Sequence, residues 1–386
     1  MLPILLGAIH FLVDAASNFV VVGLLPSRFE EWFPYLFAYN ALAFALQPVA
    51  GALADRAQRP WGTALLGVFL SAAALLPGAS NVVLTVLLAG IGNALFHVGA
   101  GILVAKHAPG RAGDFGVFIA PGALGVALGT VAARRYPALA FWPILAGLGV
   151  ALPLLAYFAR VRPTVAPTRP QEPRAGTLIP ALLLLLAIAM RALLGGRSTG
   201  PLGRLGMALP AAVAVFGGKA VGGFVADRFG WQRIAVSSLV ISALLLMSAA
   251  SGQPWLACLG LLCFQVVTGV TLAAVIRLFP GRPGLGFGLA SFALFMGSLP
   301  VLLRLPLAGF AGLSLDSLLA CLSALAIWQG LAGGNRLLAQ PQPSSSEQKH
   351  GGKRDDLDQR ESSPATVAMP SEKVQIGATQ KFEGET

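Results

Sequence analysis

The chain has 386 residues, of which 56% are hydrophobic and only 11% charged, and its mean hydropathy is +0.75. Water-soluble globular proteins carry about 25% charged residues, so this composition excludes that class and indicates a membrane protein. The formal net charge of +11 comes from single Arg and Lys residues between apolar runs. That pattern is typical of membrane topology and not of a phosphate-binding surface, so we expect a lipid bilayer and no nucleic acid as partner.

Twelve apolar runs are long enough to cross a bilayer. A helix needs about 20 apolar residues to span a hydrocarbon core of about 30 Å. The runs predict an all-α membrane protein with twelve transmembrane helices, at residues 3–25, 33–53, 61–78, 82–105, 114–133, 138–159, 177–194, 206–226, 234–250, 255–276, 285–303 and 311–332. The first run follows the initial Met without a basic leader, so we expect it to remain in the protein.

An Arg- and Pro-rich stretch at 160–176 divides the spans into two sets of six. We expect it to be a cytoplasmic linker between an N-terminal six-helix bundle, 1–159, and a C-terminal six-helix bundle, 177–338. Residues 339–386 hold few large apolar side chains, which predicts a disordered cytoplasmic tail that could bind a cytoplasmic partner.

Most basic loop residues lie on one side of the predicted spans. Basic loops face the cytoplasm in membrane proteins, so both termini are predicted to be cytoplasmic in a multi-pass protein of the cell membrane. The three cysteines fall inside apolar runs, with no disulfide or metal-ligand spacing. We therefore predict no metal and no cofactor. The cysteines are Cys258, Cys263 and Cys321.

Two sequence stretches recur in the two halves. Residues 49–56 (VAGALADR) match 221–228 (VGGFVADR) at an offset of 172, and 109–113 (PGRAG) match 280–284 (PGRPG) at an offset of 171. Each pair lies between equivalent spans, which indicates two parallel six-helix pseudo-repeats. Transporters built in this way place the substrate near the midplane between the repeats.

Residues 51–59 (GALADRAQR) resemble the loop between spans two and three that is a signature of the major facilitator superfamily, and 223–233 are similar to its second-half copy. The glycine that usually follows the Arg in this motif is replaced by Gln58 in the first copy and is kept as Gly230 in the second. This resemblance implies the major facilitator fold, with aspartates that cap helix ends and pair with Arg to lock the outward-open state. The predicted conformational-switch residues are Gly51, Asp55, Arg56, Gly223, Asp227 and Arg228; alternatively, the two arginines only set topology.

Three further segments, within residues 10–14, 92–97 and 120–125, are similar to the fosmidomycin-resistance branch of the superfamily. Four small or cyclic residues of the fifth span also resemble a degenerate antiporter motif, which slightly favours antiport. The same residues would allow simple close packing of helices. They are Gly116, Pro121, Gly125 and Gly129.

Asp14 lies halfway along the first span, with His10 and Asn18 four residues to either side on the same helical face. An ionisable residue at the bilayer centre costs at least about 2.5 kcal/mol, so each one is a candidate site. We predict that Asp14 and His10 exchange protons and that Asn18 contacts substrate. The alternative is a polar seam between helices.

Asn93 and His97 have the same spacing on the fourth span, and Gln265 is the repeat equivalent of Asn93. Since spans one, four and ten line the cavity in the family, Asn93 and Gln265 are predicted to contact substrate and His97 to take part in proton coupling. A structural hydrogen bond to another helix is the alternative for His97.

Arg191 and Lys219 are the basic residues that we place inside the hydrocarbon layer, and both are predicted to bind an anionic substrate group. Lys219 is too deep to reach the surface easily, whereas Arg191 could reach it.

The predicted function is secondary active transport by alternating access, as proton-coupled export (antiport) of a small amphiphilic or anionic compound. Proton-coupled nutrient uptake (symport) is one alternative; a non-transporting sensor or scaffold that acts through the tail is another. The chain has no phosphate-binding loop of the G-x-x-x-x-G-K-[ST] type and no paired catalytic groups, so we predict no enzymatic activity.

Overall fold

The structure is a computed structural model that describes residues 1–27, 31–76, 81–161, 171, 173–249, 252–305 and 315–339. All regular elements in these residues are helices, which confirms the predicted all-α class. Most of the predicted linker and residues 340–386 of the predicted tail lie outside the described residues. Ala339, expected to begin the tail, is instead the last residue of a helix.

Ten helices of the described part are long and apolar enough to cross a membrane, and two shorter apolar helices, α3 and α9, complete a series of twelve. Each predicted span overlaps one of them. They are α1 (Leu2–Leu24), α2 (Phe33–Ala57), α3 (Pro60–Ala73), α4 (Val82–His107), α5 (Ala112–Arg135), α6 (Pro137–Val161), α7 (Leu178–Arg204), α8 (Ala208–Phe229), α9 (Trp231–Ala249), α10 (Pro254–Arg277), α11 (Pro283–Leu302) and α12 (Leu315–Ala339).

Short-range sequence signals set several helix ends. Pro60 and Pro283 occupy the first helical position of α3 and α11, where no backbone N–H is needed. The Asn81 side chain accepts a hydrogen bond from the Leu84 N–H at 3.0 Å and caps α4. At the ends of α2 and α8, Gln58 (φ 52°) and Gly230 (φ 99°) both have positive φ. Gln58 thus adopts the backbone conformation for which the family motif usually supplies glycine.

Three helices contain irregular segments, at the end of α1 and near the middle of α2 and α10. α1 continues as a π-helical segment at Phe19–Leu24, and α2 contains another at Ala41–Ala45. α10 is interrupted between Gln265 and Thr268. Such departures from α-helical geometry are common at functional sites because they redirect side chains.

The outer surface is apolar in the way that a lipid-facing surface must be. Large side chains such as Leu139 (74% exposed) and Trp142 (68% exposed) point outward, whereas Phe96, Phe118 and Phe264 are fully buried. A water-soluble protein does not expose contiguous apolar surface of this kind. The chain is therefore an all-α membrane protein.

The two sets of six helices meet mainly along two helix pairs. α5 of the first set packs against α8 of the second, and α2 packs against α11. Within the sets, α1 packs against α5, α3 against α4, and α7 against α12. A cavity lies between the two sets, and six of the eight residues predicted to couple protons or to bind substrate line it.

Candidate functional site

The cavity has a volume of about 430 Å³ and is lined by residues of both sets of helices. His10, Asp14 and His97 form its polar wall on the first set, and Arg191 and Lys219 form the facing wall on the second. The remaining lining is mostly apolar and includes Phe44, Ile119, Val126, Ile188, Val215, Leu272, Phe287 and Leu294. A cavity of this size with a few convergent polar groups is typical of a small-molecule site.

His10, Asp14 and His97, which we name the acceptor cluster, lie in direct contact. His10 Nε2 is 2.8 Å from His97 Nε2 and 3.0 Å from Asp14 Oδ2, and His97 Nε2 is 3.8 Å from Asp14 Oδ1. His10 and His97 are buried, with 4% and 8% of their surfaces exposed. The structure thus brings His97 of α4 into contact with His10 and Asp14 of α1, which lie four residues apart on one helix.

The hydrogen bonds of the two Nδ1 atoms determine which ring nitrogens of His10 and His97 carry hydrogen. His10 Nδ1 lies 2.9 Å from the Phe118 carbonyl oxygen, and His97 Nδ1 lies 2.8 Å from the Asn93 carbonyl oxygen. A carbonyl oxygen only accepts, so each Nδ1 carries a hydrogen and donates it. Without a further proton, both Nε2 atoms and the Asp14 carboxylate would be acceptors facing one another. The observed spacing therefore requires at least one shared proton.

His10, Asp14 and His97 are also residue types that ligate metal ions. Their ligand atoms lie within 4.8 Å of one another, although the sequence predicted no metal-ligand cluster. Two nitrogen ligands of one tetrahedral ion, each about 2.1 Å from the metal, are about 3.4 Å apart. The 2.8 Å between the two Nε2 atoms is a hydrogen-bond distance, so this arrangement suits a shared proton and does not fit a metal ion.

Two further residues hold the acceptor cluster in place. Asn93 Nδ2 donates to Asp14 Oδ1 at 3.0 Å. Gly122 lies so close that a Cβ there would be 2.6 Å from Asp14 Oδ2 and in contact with the His10 ring. Gly122 was part of a segment that the sequence singled out only by resemblance, and its role against Asp14 depends on a contact between α1 and α5.

Arg191 is buried in the opposite wall, with 6% of its surface exposed. Its guanidinium donates to Thr268 Oγ1 at 2.6 Å, to Thr271 Oγ1 at 3.3 Å and to Gln265 Oε1 at 3.4 Å. It also lies over the Phe264 ring, 5.2 Å from the centroid. Arg191 is therefore fixed by α10, and it does not extend to the membrane surface.

The role of Thr268 and Thr271 was missed from the sequence. A signal was present, because Gln265, Thr268 and Thr271 follow at intervals of three and share one helical face. The interruption of α10 between Gln265 and Thr268 lies at this point.

Lys219 is half-buried at the cavity wall and makes no hydrogen bond or ion pair with any residue that the structure describes. In the same part of the chain, no carboxylate forms an ion pair with Arg191. Among the described lining residues, the second half of the cavity therefore presents two cationic side chains and no anionic partner.

Two predicted substrate contacts lie outside the cavity lining. Asn18 donates from Nδ2 to the Asp14 carbonyl oxygen at 3.0 Å, within its own helix, and π-helical geometry begins at the next residue. Asn93 is 1% exposed and contacts Asp14 from behind. Gln265 lines the cavity as expected.

The predicted switch residues form two equivalent contacts at one face of the bundle. Asp55 accepts hydrogen bonds from the N–H groups of Gly284 (2.9 Å) and Leu285 (2.8 Å) at the start of α11. Asp227 accepts from Ala112 (3.0 Å) and Gly113 (2.9 Å) at the start of α5. The residues of the two contacts are equivalent in the repeat, because each pair differs by 172 positions. The pairs are Asp55 and Asp227, Ala112 and Gly284, and Gly113 and Leu285. A carboxylate at a helix N-terminus is favoured by the helix dipole.

The glycines of the same motif allow this close approach. A Cβ at Gly51 would collide with the backbone of Gly284, and one at Gly223 with the backbone of Ala112. Arg56 and Arg228 are exposed, and among the described residues neither pairs with Asp55 or Asp227. The expected pairing with arginine is therefore not seen; backbone N–H groups take its place.

The residues that resemble an antiporter motif serve as packing surfaces. A Cβ at Gly125 would collide with the carbonyl of Phe11, and one at Gly129 with that of Ala15, both on α1. Gly116 packs in the same way against the carbonyl of Lys219 on α8.

Comparisons with known proteins give a consistent result for the fold. No protein-family model matches the chain, and no curated protein sequence matches it. Among solved structures, a major facilitator superfamily transporter, FucP, in the outward conformation is similar with a TM-score of 0.63 and 13% identity, over 86% of this chain and 98% of that one. A structure of the E. coli fucose:proton symporter FucP gives 0.59 and 13%, over 87% and 98%.

A bacterial homologue of the iron transporter ferroportin in the outward-facing state is similar with a TM-score of 0.59 and 17% identity, over 88% of this chain and 99% of that one. The TM-scores show likeness of fold, and identities this low show nothing finer. The twelve helices, the equivalent Asp55 and Asp227 contacts and these structural neighbours together lead to one conclusion: the chain is a multi-pass membrane protein with the fold of the major facilitator superfamily transporters.

Proposed function

We propose that the chain is a major facilitator transporter, and not an enzyme, that moves a small amphiphilic or anionic compound by alternating access and couples this movement to protons. The cavity lies between the two six-helix bundles, where transporters of this architecture bind their substrate. Both bundles contribute polar groups to it, so a change in their relative orientation would alter the site.

The acceptor cluster is the observation that carries the proton coupling. Three acceptor atoms in contact at the cavity wall require a shared proton, and gain or loss of that proton changes the charge of the cavity. The other titratable or charged groups facing the cluster are Tyr39 on α2, Arg191 on α7 and Lys219 on α8. We assign proton coupling to Asp14, His10 and His97.

The direction of coupling depends on the charge of the substrate. Antiport export, which the sequence favoured, needs a proton and a substrate that compete, as a cationic or neutral amphiphile would. Symport needs them to bind together. Arg191 and Lys219 favour symport of an anion, because a proton on the acceptor cluster adds positive charge to a cavity that already holds two cations.

The Asp55 and Asp227 contacts are proposed to close one face of the protein during the cycle. Both hold the start of a helix in the opposite bundle, so both must break for that face to open. We propose that this face is cytoplasmic, that both termini lie on the same side, and that the protein resides in the cell membrane.

The experiment that tests proton coupling uses proteoliposomes with a pH-sensitive dye inside and pools of organic anions, amphiphilic drugs and sugars added outside. At least one pool should change the internal pH with the wild-type protein, and Asp14→Asn should remove that change. The sign of the change distinguishes symport from antiport. Transport of a labelled pool component with no pH change would contradict the proposal, as would no response to any pool.

Two histidines of α4 provide a matched pair of variants. His97→Gln alters the acceptor cluster and should remove the pH change, whereas His107→Gln alters an exposed residue at the end of the same helix and should not. Removal of residues 340–386 tests the sensor or scaffold alternative, because a transporter should keep its flux without this segment.

A further inference from the structure

The second half of the cavity holds positive charge that the described part of the protein does not neutralise. Arg191 is bound by neutral partners alone, namely two threonine hydroxyls, an amide and a carbonyl. Its Nε is buried and makes no hydrogen bond to a described residue. Charges at membrane depth are normally paired, because the membrane interior does not solvate them.

Lys219 adds a second cation one helix away. It lines the same cavity and forms no ion pair or hydrogen bond with described residues. The lysine head group is a compact charge with three donors on a flexible stem, so it can meet a ligand at several positions. Arg191 is held rigidly and can donate only from groups that its threonine partners leave free.

The single carboxylate on the cavity wall does not neutralise these cations. Asp14 is engaged by His10 and Asn93, and the proton that the acceptor cluster shares compensates its charge. In formal terms, the cluster is then neutral and the cavity carries the charge of Arg191 and Lys219 alone. Apart from the neutral partners of Arg191, most of the lining is apolar, so it screens this charge weakly.

We propose that the cavity binds an organic anion with an apolar body, whose charged group contacts Lys219 and Arg191, and that this anion and the proton of the acceptor cluster bind cooperatively. This inference rests on the proposed proton coupling and extends it by naming the substrate class and the sign of the linkage. Carboxylate, sulfonate and phosphonate groups share the chemistry that two such cations recognise.

Electrostatics gives the sign. Loss of the cluster proton leaves Asp14 uncompensated and reduces the positive charge that attracts the anion. Conversely, a bound anion favours retention of the proton. Because linkage is reciprocal, the factor by which the proton raises anion affinity equals the factor by which the anion raises proton affinity.

The test uses the full chain in nanodiscs and three permanently ionised or neutral probes of similar shape: 2-naphthalenesulfonate, 2-naphthalenemethanol and trimethyl(2-naphthylmethyl)ammonium. Isothermal titration calorimetry in two buffers with different ionisation enthalpies gives the affinity and the number of protons taken up. We expect the sulfonate to bind at least about tenfold more tightly than the other two probes. A tenfold difference in affinity is what the attraction of one negative charge to the two cations should give at a partly shielded site. Its binding at pH 7 to 8 should take up protons.

Three variants test the residues. Lys219→Gln should weaken sulfonate binding about tenfold or more, Lys219→Arg should restore most of it, and Lys349→Gln, outside the described residues, should leave it unchanged. Thermal unfolding of each variant checks that the protein is intact. Equal binding of the cationic probe, an unchanged affinity in folded Lys219→Gln, or no sulfonate binding at millimolar concentration would each overturn the proposal.

The same titration separates this inference from the proposed function. Asp14→Asn should keep sulfonate binding and lose the proton uptake. Sulfonate binding that depends on Lys219 without proton uptake in the wild type would leave the anion site standing and contradict proton coupling. If the neutral or cationic probe instead caused proton uptake that depends on Asp14, proton coupling would stand and the anion site would be contradicted.

Discussion

Two amides at equivalent positions of the repeat have opposite partners. Asn93 on α4 donates to the carboxylate of Asp14 on α1, whereas Gln265 on α10 accepts from the guanidinium of Arg191 on α7. The two helix pairs, α1 with α4 and α7 with α10, are equivalent in the two halves. The same amide position thus orients an acid in one half and a base in the other.

The Asp55 and Asp227 contacts between the halves show no such divergence. Asp55 and Asp227 each accept two hydrogen bonds from the start of a helix in the opposite half, at equivalent positions. Symmetry between the halves is thus retained at the Asp55 and Asp227 contacts and is lost at the walls of the cavity. Function should therefore depend on the differences between the cavity walls.

The largest effect is expected from Gly122→Ala. The added methyl group would lie against Asp14 and His10, and overpacking of this kind typically costs about 1–3 kcal/mol. We expect the cluster to be displaced and proton-coupled flux to fall more than tenfold, by the same reasoning. Gly149→Ala on α6 is the control, since nothing lies near its added methyl group. Similar flux in the two variants would contradict the packing of the acceptor cluster.

The next effect concerns the symmetric contacts. Gly51→Ala and Gly223→Ala both push a methyl group into the backbone of the opposite half, which cannot rotate away. We expect both variants to favour the state in which this face is open, and to the same extent. Distances between spin labels on the two halves would measure it, with Gly149→Ala as the control, since nothing lies near its added methyl group. A large effect in only one of the two variants would contradict the functional equivalence of the Asp55 and Asp227 contacts.

Much of the fold could be read from the sequence, because long apolar runs and the repeated 49–56 and 221–228 segments depend on local composition. Asp14, His10 and His97 were also singled out as candidates, because ionisable residues are rare at membrane depth, and the structure places them in contact. The hydrogen bonds of the cluster to Phe118 and its contact with Gly122 depend on tertiary packing of α1 against α5, which spacing does not specify.

Helical spacing also placed Asn18 with His10 and Asp14 on one face. The structure shows that its side chain turns back to the carbonyl of Asp14, directly before the π-helical segment. A face defined by i, i+4 spacing gives the direction in which a residue points and does not give its partner.

A moderate effect is expected from Thr268→Val, which removes the hydroxyl that accepts from Arg191 at 2.6 Å. A hydrogen bond to a charged group contributes about 1.5–3 kcal/mol, so we expect the affinity for the sulfonate to fall about tenfold or more. Thr130→Val on α5, whose hydroxyl bonds only to its own helix, should have no effect on binding. The calorimetric titration described above measures both variants, and equal affinities would indicate that Arg191 is not positioned by α10.

The smallest effect is expected from Asn18→Ala. Asn18 bonds within its own helix, so its loss should change flux by less than about twofold, in the range of ordinary substitutions away from special contacts. Asn93→Ala, which removes the donor to Asp14, should reduce proton-coupled flux clearly more. A larger effect at Asn18 would restore the sequence-based expectation that it contacts substrate.

The proton shared within the acceptor cluster is the central claim, and nitrogen NMR of the protein with ¹⁵N-labelled histidine tests it most directly. The chain has four histidines, His10, His97, His107 and His350, and His97→Gln assigns the buried pair. The account predicts that His10 and His97 both carry hydrogen on Nδ1 and show coupling between their Nε2 atoms through one shared hydrogen. The opposite result would contradict it: both histidines would carry hydrogen on Nε2 and none on Nδ1, at every pH at which the protein stays folded.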